Sequence, residues 1–322
     1  SLVWEDQTRE LKPVNFEFKG QLRDYQNKAA QAILTQPFGV LDAPTGSGKT
    51  VLELYVIAGR KQPALIVVHT KELMNQWVDR IHTFLGIPVD DIGVIGGGKI
   101  RIGDRVTVAM VQTLHKCKDE VVPFIGHVVV DECHRCPSRT FTEAVSAFDS
   151  KYMLGLSATP YRRDGLTNLI HWHLGDRVHS IGQAELTKTG AILPFRVKQV
   201  QTNFTTTLDA SVEYSKMLSE LTDDQERNSL ISQEAARQVS NGGGIPLILS
   251  DRRSHCQAIA EALGRDFGIN VDLLTGDLSQ KAREKVVARL NAGKCKALVA
   301  TGQLIGEGFD LPALGAVILA TP

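Results

Sequence analysis

The chain has no excess of charge of either sign: Lys and Arg together number 36, as do Asp and Glu. No global field therefore draws it to a polyanion, and any nucleic-acid surface has to be a local basic groove. It also has no apolar run near the roughly 18 residues that a membrane-spanning helix needs, so no membrane partner is expected. Cysteine is scarce and odd in number, five in 322 residues. With no basic-then-apolar leader at the start, this argues against a disulfide framework and for a reducing compartment: the cytoplasm, or the bacterial cytoplasm or nucleoid if the source is prokaryotic. No low-complexity tract or short-period repeat is present. The length suits two globular units, each able to bury its own core.

What is present is alternation. Short apolar runs at Phe38–Leu41, Ala64–Val68, Val106–Met110, His127–Val130 and Tyr152–Leu156 predict buried strands, with helical patterns between them such as Lys71–Leu85 and Thr140–Phe148. Strands alternating with helices give right-handed βαβ units and a parallel sheet covered on both faces. This α/β domain is expected over residues 1–182. Residues 183–240 are more polar and predict a helical connector, with helices at Leu208–Leu221 and Asp223–Ser240 ended by Asn241-Gly-Gly-Gly. A second, shorter α/β unit follows over 241–322, with strands at Pro246–Leu249, Val271–Leu274, Ala297–Thr301 and Ala316–Leu319.

The first chemical signal is APTGSGKT, Ala43 to Thr50, set between a predicted strand and a predicted helix. A strand, glycine-rich turn and helix in that order form a phosphate cradle. Thr45, Gly46, Ser47 and Gly48 supply the turn, Lys49 can reach the β- and γ-phosphates, and the Thr50 hydroxyl can hold Mg²⁺. The cofactors expected are ATP and Mg²⁺.

The second is VVVDECHRC, Val128 to Cys136, which supports two readings. Cys133, His134 and Cys136 carry zinc-binding side chains, whereas Asp131 and Glu132 end an apolar strand as a magnesium site requires. A phosphate loop needs an acidic partner on a neighbouring strand to orient the metal and activate a water. His115 and Cys117, the available second half of a zinc site, have the wrong spacing, so the acids are the better reading. Asp131 is assigned to the metal and Glu132 to the attacking water.

Together these motifs resemble the superfamily 2 helicases and translocases, on the branch of XPB-like proteins and type I or III restriction motors. LRDYQ (Leu22–Gln26) resembles the adenine-reading motif, which implies Arg23 and Gln26 at the base. VHTKEL (Val68–Leu73) resembles motif Ia and TVAMVQTLHK (Thr107–Lys116) motif Ib. DECH (Asp131–His134) resembles motif II, LSATP (Leu156–Pro160) motif III, LILSDRRSHC (Leu247–Cys256) motif IV and LVATGQLIGEGFDLPAL (Leu298–Leu314) motif V. The resemblance implies two tandem RecA-like domains, the second incomplete, with His134 beside the catalytic acids and Ser157, Ala158 and Thr159 coupling nucleotide state across the sheet. It implies that Gly308 and Asp310 close on ATP, and that Thr70, Lys71, Thr113, Ser250, Arg252 and Thr301 touch nucleic-acid phosphates.

The implied partner is nucleic acid, duplex or single-stranded DNA first, with protein partners or a nuclease subunit possible for such a motor. Alternatives are an ATPase that remodels complexes without unwinding, or an RNA helicase. The family's arginine-bearing motif VI should follow the strand near Val317, yet the sequence ends at Pro322. A chain without it is expected to hydrolyse ATP poorly, and a longer protein is the favoured explanation.

Overall fold

The computed structural model describes residues 6–135, 139–158, 167–302 and 313–322. Two compact units divide the chain, Ser1–Arg196 and Val197–Pro322. The boundary falls later than the position 182 expected from composition. Helix Gln183–Lys188 explains the difference, because Leu186 and the preceding Ile181 are buried in the same core as Leu22 and Ile33.

The first unit is built on eight strands: β1 (Phe38–Asp42), β2 (Ala64–Val68), β3 (Gly93–Gly96), β4 (Lys99–Arg101), β5 (Val106–Met110), β6 (His127–Asp131), β7 (Tyr152–Ser157) and β8 (Arg177–Ser180). Their order is β4-β3-β5-β2-β6-β7-β1-β8, parallel throughout except for the antiparallel β3–β4 pair. Every residue of β2 and β6 is buried. Such unbroken Val/Ile/Leu runs suit strands covered by helices on both faces. At the edge, β3 and β4 are joined by Gly97-Gly98, both with left-handed backbone (φ 60° and 84°) that only glycine adopts freely. Short strands around a glycine turn carry little periodic signal, and the sequence reading omitted them.

Helix Lys71–Leu85 shows why a local pattern was legible. Leu73, Met74, Trp77, Ile81 and Leu85 recur every three or four residues and are all buried. Thr70 caps its start by accepting from the Leu73 amide at 3.2 Å, and Gly86 ends it with φ 62°.

The second unit carries β9 (Ile245–Ser250), β10 (Val271–Leu274), β11 (Ala297–Thr301) and β12 (Leu314–Leu319), all parallel in the order β10-β11-β9-β12. Helix Gln225–Ser240 belongs to this unit: its Ile231 and Ala235 share a core with Ile248 of β9 and with Ile259 from helix Arg253–Phe267. Among the described residues no helix is long and apolar enough to cross a membrane.

Candidate nucleotide site

The phosphate loop leaves the C-terminal end of β1 and enters helix Lys49–Arg60, whose first residue is Lys49. Gly46 and Gly48 stand at φ 83° and 72°. A Cβ at Gly48 would lie 2.5 Å from the Gln26 amide nitrogen, and one at Gly46 would lie 2.8 Å from Ile192. Both positions therefore require glycine on two grounds, backbone conformation and space.

The loop is clamped from the LRDYQ segment. Gln26 donates its amide to the Ser47 carbonyl at 2.9 Å, and the Tyr25 hydroxyl donates to the same carbonyl at 3.1 Å. The Gln26 side-chain oxygen accepts from the Arg23 amide at 2.9 Å. Gln26, expected at the adenine, thus has both ends of its amide engaged, the nitrogen on the loop and the oxygen on the start of its own helix. Tyr25 was not singled out by the sequence reading, although it lies inside the quoted motif.

β7 lies between β1 and β6, and the register sets Asp42 opposite Ser157 and Asp131 opposite Leu156. The phosphate loop and the acidic pair therefore leave the sheet at the same level, one strand apart, at the C-terminal edge where open α/β sheets bind ligands. Lys49 forms an ion pair with Glu132 and lies 4.0 Å from the Asp131 carboxylate. Glu132 is one of two non-glycine residues with positive φ, at 50°, among the described residues. Left-handed backbone costs a non-glycine residue about 1–2 kcal/mol, and here it accompanies the turn that brings the carboxylate to Lys49.

Asp131 is fixed by two donors. The Trp77 indole donates to one carboxylate oxygen at 2.8 Å, and the Glu132 amide donates to the other at 3.0 Å. Burial raises the Asp131 pKa above the ordinary aspartate value, while Lys49 and the Trp77 indole oppose that shift. Trp77 was legible only as a core residue on an apolar helix stripe. Its polar role follows from the tertiary meeting of that helix with β6.

His134 Nδ1 lies 3.0 Å from the Ser157 hydroxyl and 3.4 Å from Glu132. A line of side chains thus runs from Lys49 through Glu132 and His134 to Ser157 at the end of β7, with Ala158 next in the chain. Cys133 is fully buried, and a Cβ on Gly155 would come within 2.9 Å of its sulfur. It packs in the core as a small apolar residue against β7. Thr159, Gly308, Asp310 and Cys136 lie outside the described residues.

The expected nucleic-acid contacts fall at strand ends. Thr70 and Lys71 follow β2 and Thr113 follows β5, though the Thr70 hydroxyl is spent as a helix cap. In the second unit Ser250 ends β9, but it is 1% exposed and its hydroxyl is 2.9 Å from His255 Nδ1. Arg252 donates to the Ser215 carbonyl and hydroxyl at 2.9 and 2.8 Å, and Thr301 is buried at the end of β11.

The donor set fits a nucleoside triphosphate with magnesium: a glycine-hinged loop of amides, an ammonium at Lys49, a hydroxyl at Thr50 and a carboxylate at Asp131. The fold is that of two RecA-like α/β units, the first of which carries a phosphate loop at the end of β1. The chain matches the family of type III restriction enzyme res subunits over residues 19–162 and the helicase conserved C-terminal domain over residues 226–322. These two matches support a superfamily 2 helicase with XPB-like and restriction-motor relatives.

A relative from Acanthamoeba polyphaga mimivirus that carries an ATP-dependent RNA helicase name is 28% identical over 95% of this chain and 59% of its own. The DNA 3'-5' translocase XPB2 of Sulfurisphaera tokodaii is 34% identical over 58% of this chain and 42% of its own. The chain spans about half the length of these curated relatives. The crystal structure of the Pyrococcus furiosus Hef helicase domain shares the fold at 15% identity, with a TM-score of 0.63 over 93% of this chain and 90% of that one.

Proposed function

We propose that this chain is the motor core of an ATP-dependent helicase or translocase that acts on nucleic acid, with DNA as the favoured substrate. The observation that carries the reading is the run Lys49–Glu132–His134–Ser157 beside the clamped Asp131. Bound ATP with Mg²⁺ supplies the transferable γ-phosphoryl group and the charge that polarises it. Lys49 and the loop amides hold phosphate, while Thr50 and Asp131 hold the metal. Glu132 orients and deprotonates the attacking water, and in the present arrangement its carboxylate is occupied by Lys49. A change of partner at Lys49 frees Glu132 to act as base. His134, within reach of Glu132 and hydrogen-bonded to Ser157, then passes that change to the end of β7. The state of the nucleotide becomes a displacement at the strand ends, where phosphate-contacting residues are expected.

DNA is favoured because the 34%-identical relative is named a DNA translocase. The RNA-helicase name of the viral relative keeps RNA as the second reading. The test is steady-state ATPase activity with single-stranded DNA, duplex DNA, RNA and no polymer, followed by strand displacement on the stimulating polymer. Stimulation by DNA above RNA supports the reading, and stimulation without displacement identifies a translocase. Equal turnover with every polymer and with none removes the nucleic-acid assignment. Lys49→Ala is expected to abolish binding or turnover, and Glu132→Gln to retain binding while stopping turnover.

A further inference from the structure

The phosphate loop is held a second time, from the end of the first unit. β8 runs beside β1 at the edge of the sheet, and its last residue, Ser180, donates its hydroxyl to the Asp42 carboxylate at 3.0 Å. Arg177 of the same strand lies 3.7 Å from that carboxylate, and the Ile181 amide donates to the Asp42 carbonyl at 2.8 Å. Asp42 is the residue before Ala43, where the loop begins.

The chain then passes through helix Gln183–Lys188 and returns to the loop. Ile181 and Leu186 are buried and fix that helix in the core. The backbone reverses at Gly190, with φ at 68°, and the amides of Ala191 and Ile192 both donate to the Leu186 carbonyl, at 2.9 and 3.3 Å. This return sets a methyl group of Ile192 over Gly46: a Cβ on Gly46 would stand 2.8 Å from it. Ala191 and Ile192 pack against the same core as Leu41, Ala43 and Leu52, which flank the loop on both sides in sequence.

Residues 180–192 therefore form a clip with two ends on the loop, one at Asp42 before it and one at Gly46 inside it. The clip is separate from the grip of Gln26 and Tyr25, which falls on Ser47. An open groove of about 980 Å³ lies between the two, with Glu185 and Lys188 on one side and Arg23 and Lys28 on the other. The clip helix thus has room to shift without meeting the first grip.

The residues after Ile192 give the clip a second property. Residues 193–196 are all exposed, Leu193 at 85%, and Arg196 is the last residue of the first unit. Ile192 is the last packed side chain of that unit, and what it touches is the phosphate loop. Gly46 places no side chain between its backbone and Ile192, so a turn of that backbone around phosphate reaches the methyl group directly. A ligand shifts a contact only through a difference in its interactions with the two states, and here the difference is whether the loop amides are committed to phosphate. A bound triphosphate holds the loop in one conformation and with it the surface on which Ile192 rests.

We propose that Ile192 is a positioning residue that couples occupancy of the phosphate loop to order at the root of the connector: triphosphate in the loop holds Ile192 on Gly46 and keeps residues 193–196 against the first unit. The coupling is reciprocal, so Ile192 strengthens triphosphate binding by the same factor. This assignment rests on the nucleotide-site reading and adds to it a residue outside every motif quoted above.

The test is limited tryptic digestion of the whole chain, with cleavage after Arg196 followed by mass spectrometry in the presence and absence of AMP-PNP and Mg²⁺. A fluorescence titration with mant-labelled AMP-PNP gives the affinity. Wild type is compared with Ile192→Ala, with Ile192→Val, which keeps a methyl group toward Gly46, and with Ser180→Ala, an exposed change that frees the other end of the clip. In wild type the nucleotide is expected to slow cleavage several-fold. Ile192→Ala is expected to be cleaved at one rate with and without nucleotide, and to bind the analogue more weakly by about the factor of protection that is lost. Ile192→Val should keep the protection, and Ser180→Ala should lose part of it. A side chain that serves packing alone would lower the thermal midpoint in Ile192→Ala and leave the protection in place, a result that overturns the proposal. Full protection in Ser180→Ala overturns the clip even if Ile192→Ala does not fold. A wild type that binds the analogue with no change in cleavage overturns the coupling and leaves the nucleotide-site reading standing. A wild type that binds no analogue overturns both.

Discussion

The Trp77 indole nitrogen lies 2.8 Å from the Asp131 carboxylate, so a helix-core residue holds the acid assigned to the metal. A hydrogen bond to a charged acceptor contributes about 1.5–3 kcal/mol, and leaving the buried carboxylate without it costs a similar amount. Trp77→Phe keeps most of the apolar contact and removes the donor. The expected result is a several-fold higher Mg²⁺ concentration for half-maximal ATPase activity, with a thermal midpoint lowered by several degrees. Unaltered magnesium dependence in that variant would mean that the indole does not orient Asp131.

Gln26 offers a second test, because its amide is committed to Ser47 and Arg23. A residue that reads adenine loses discrimination when it is truncated, whereas a residue that clamps the phosphate loop loses affinity for every triphosphate. Gln26→Ala is therefore expected to raise KM for ATP and GTP by similar factors. Tyr25→Phe, which deletes the other donor to the Ser47 carbonyl, should move KM in the same direction and by less. A rise confined to ATP would return Gln26 to the base.

Glu132 stores strain in its backbone, with φ at 50°. Glycine adopts this region freely and alanine does not. Glu132→Gly should therefore be more stable than Glu132→Ala by about 1 kcal/mol, the reverse of the usual order for the two residues, and both should be inactive. Thermal or denaturant unfolding of the pair measures the difference. Alanine equal to or above glycine would show that the left-handed turn is not a feature of the folded chain in solution.

Much of the site was legible because its motifs lie at strand ends, where apolar periodicity breaks into short polar signatures. The strands β2, β5 and β10 and the helix Lys71–Leu85 match the expected bounds, since each strand is a short apolar run and the helix carries buried residues at three- and four-residue spacing, all stopped by polar or glycine residues. The hidden part is what tertiary contact creates. Trp77 looks like any core aromatic until its helix meets β6, and Tyr25 looks like part of an adenine motif until its hydroxyl reaches the Ser47 carbonyl. Arg252 has the composition of a phosphate contact, yet it is consumed by Ser215, a residue 37 positions earlier in the chain. Sequence spacing carries no information on such pairings.

The same limit hid a buried polar cluster beneath the site. Glu53, on the helix that starts with Lys49, is fully buried, and neither carboxyl oxygen has a hydrogen-bond partner among the described residues. His127 lies 3.6 Å from it at the start of β6, and in turn 2.7 Å from the Arg60 guanidinium. Arg60 is itself held by the Gln36 carbonyl at 2.8 Å and stacks over the Tyr152 ring at 4.6 Å. Burial pushes the Glu53 pKa from the ordinary 4.5 up to about 8, with Arg60 opposing and Asp131 reinforcing the shift. Burial, and then Arg60, keep His127 well below the usual histidine range.

Glu53 is therefore protonated in the folded protein at neutral pH and ionised in the unfolded chain. At this group the unfolded state binds fewer protons over that window, so the Glu53 contribution to stability falls as pH rises from about 4.5 to about 8 and levels off above it. Glu53→Gln keeps the shape and fixes the neutral form. It should remove the Glu53 part of the slope between about pH 5 and pH 8, leaving the contribution of Asp131 with the same sign and that of His127 with the opposite sign. Denaturant unfolding of wild type and Glu53→Gln across that range decides the matter. Parallel pH profiles would show that Glu53 has found a charge partner in solution and does not require its proton to fold.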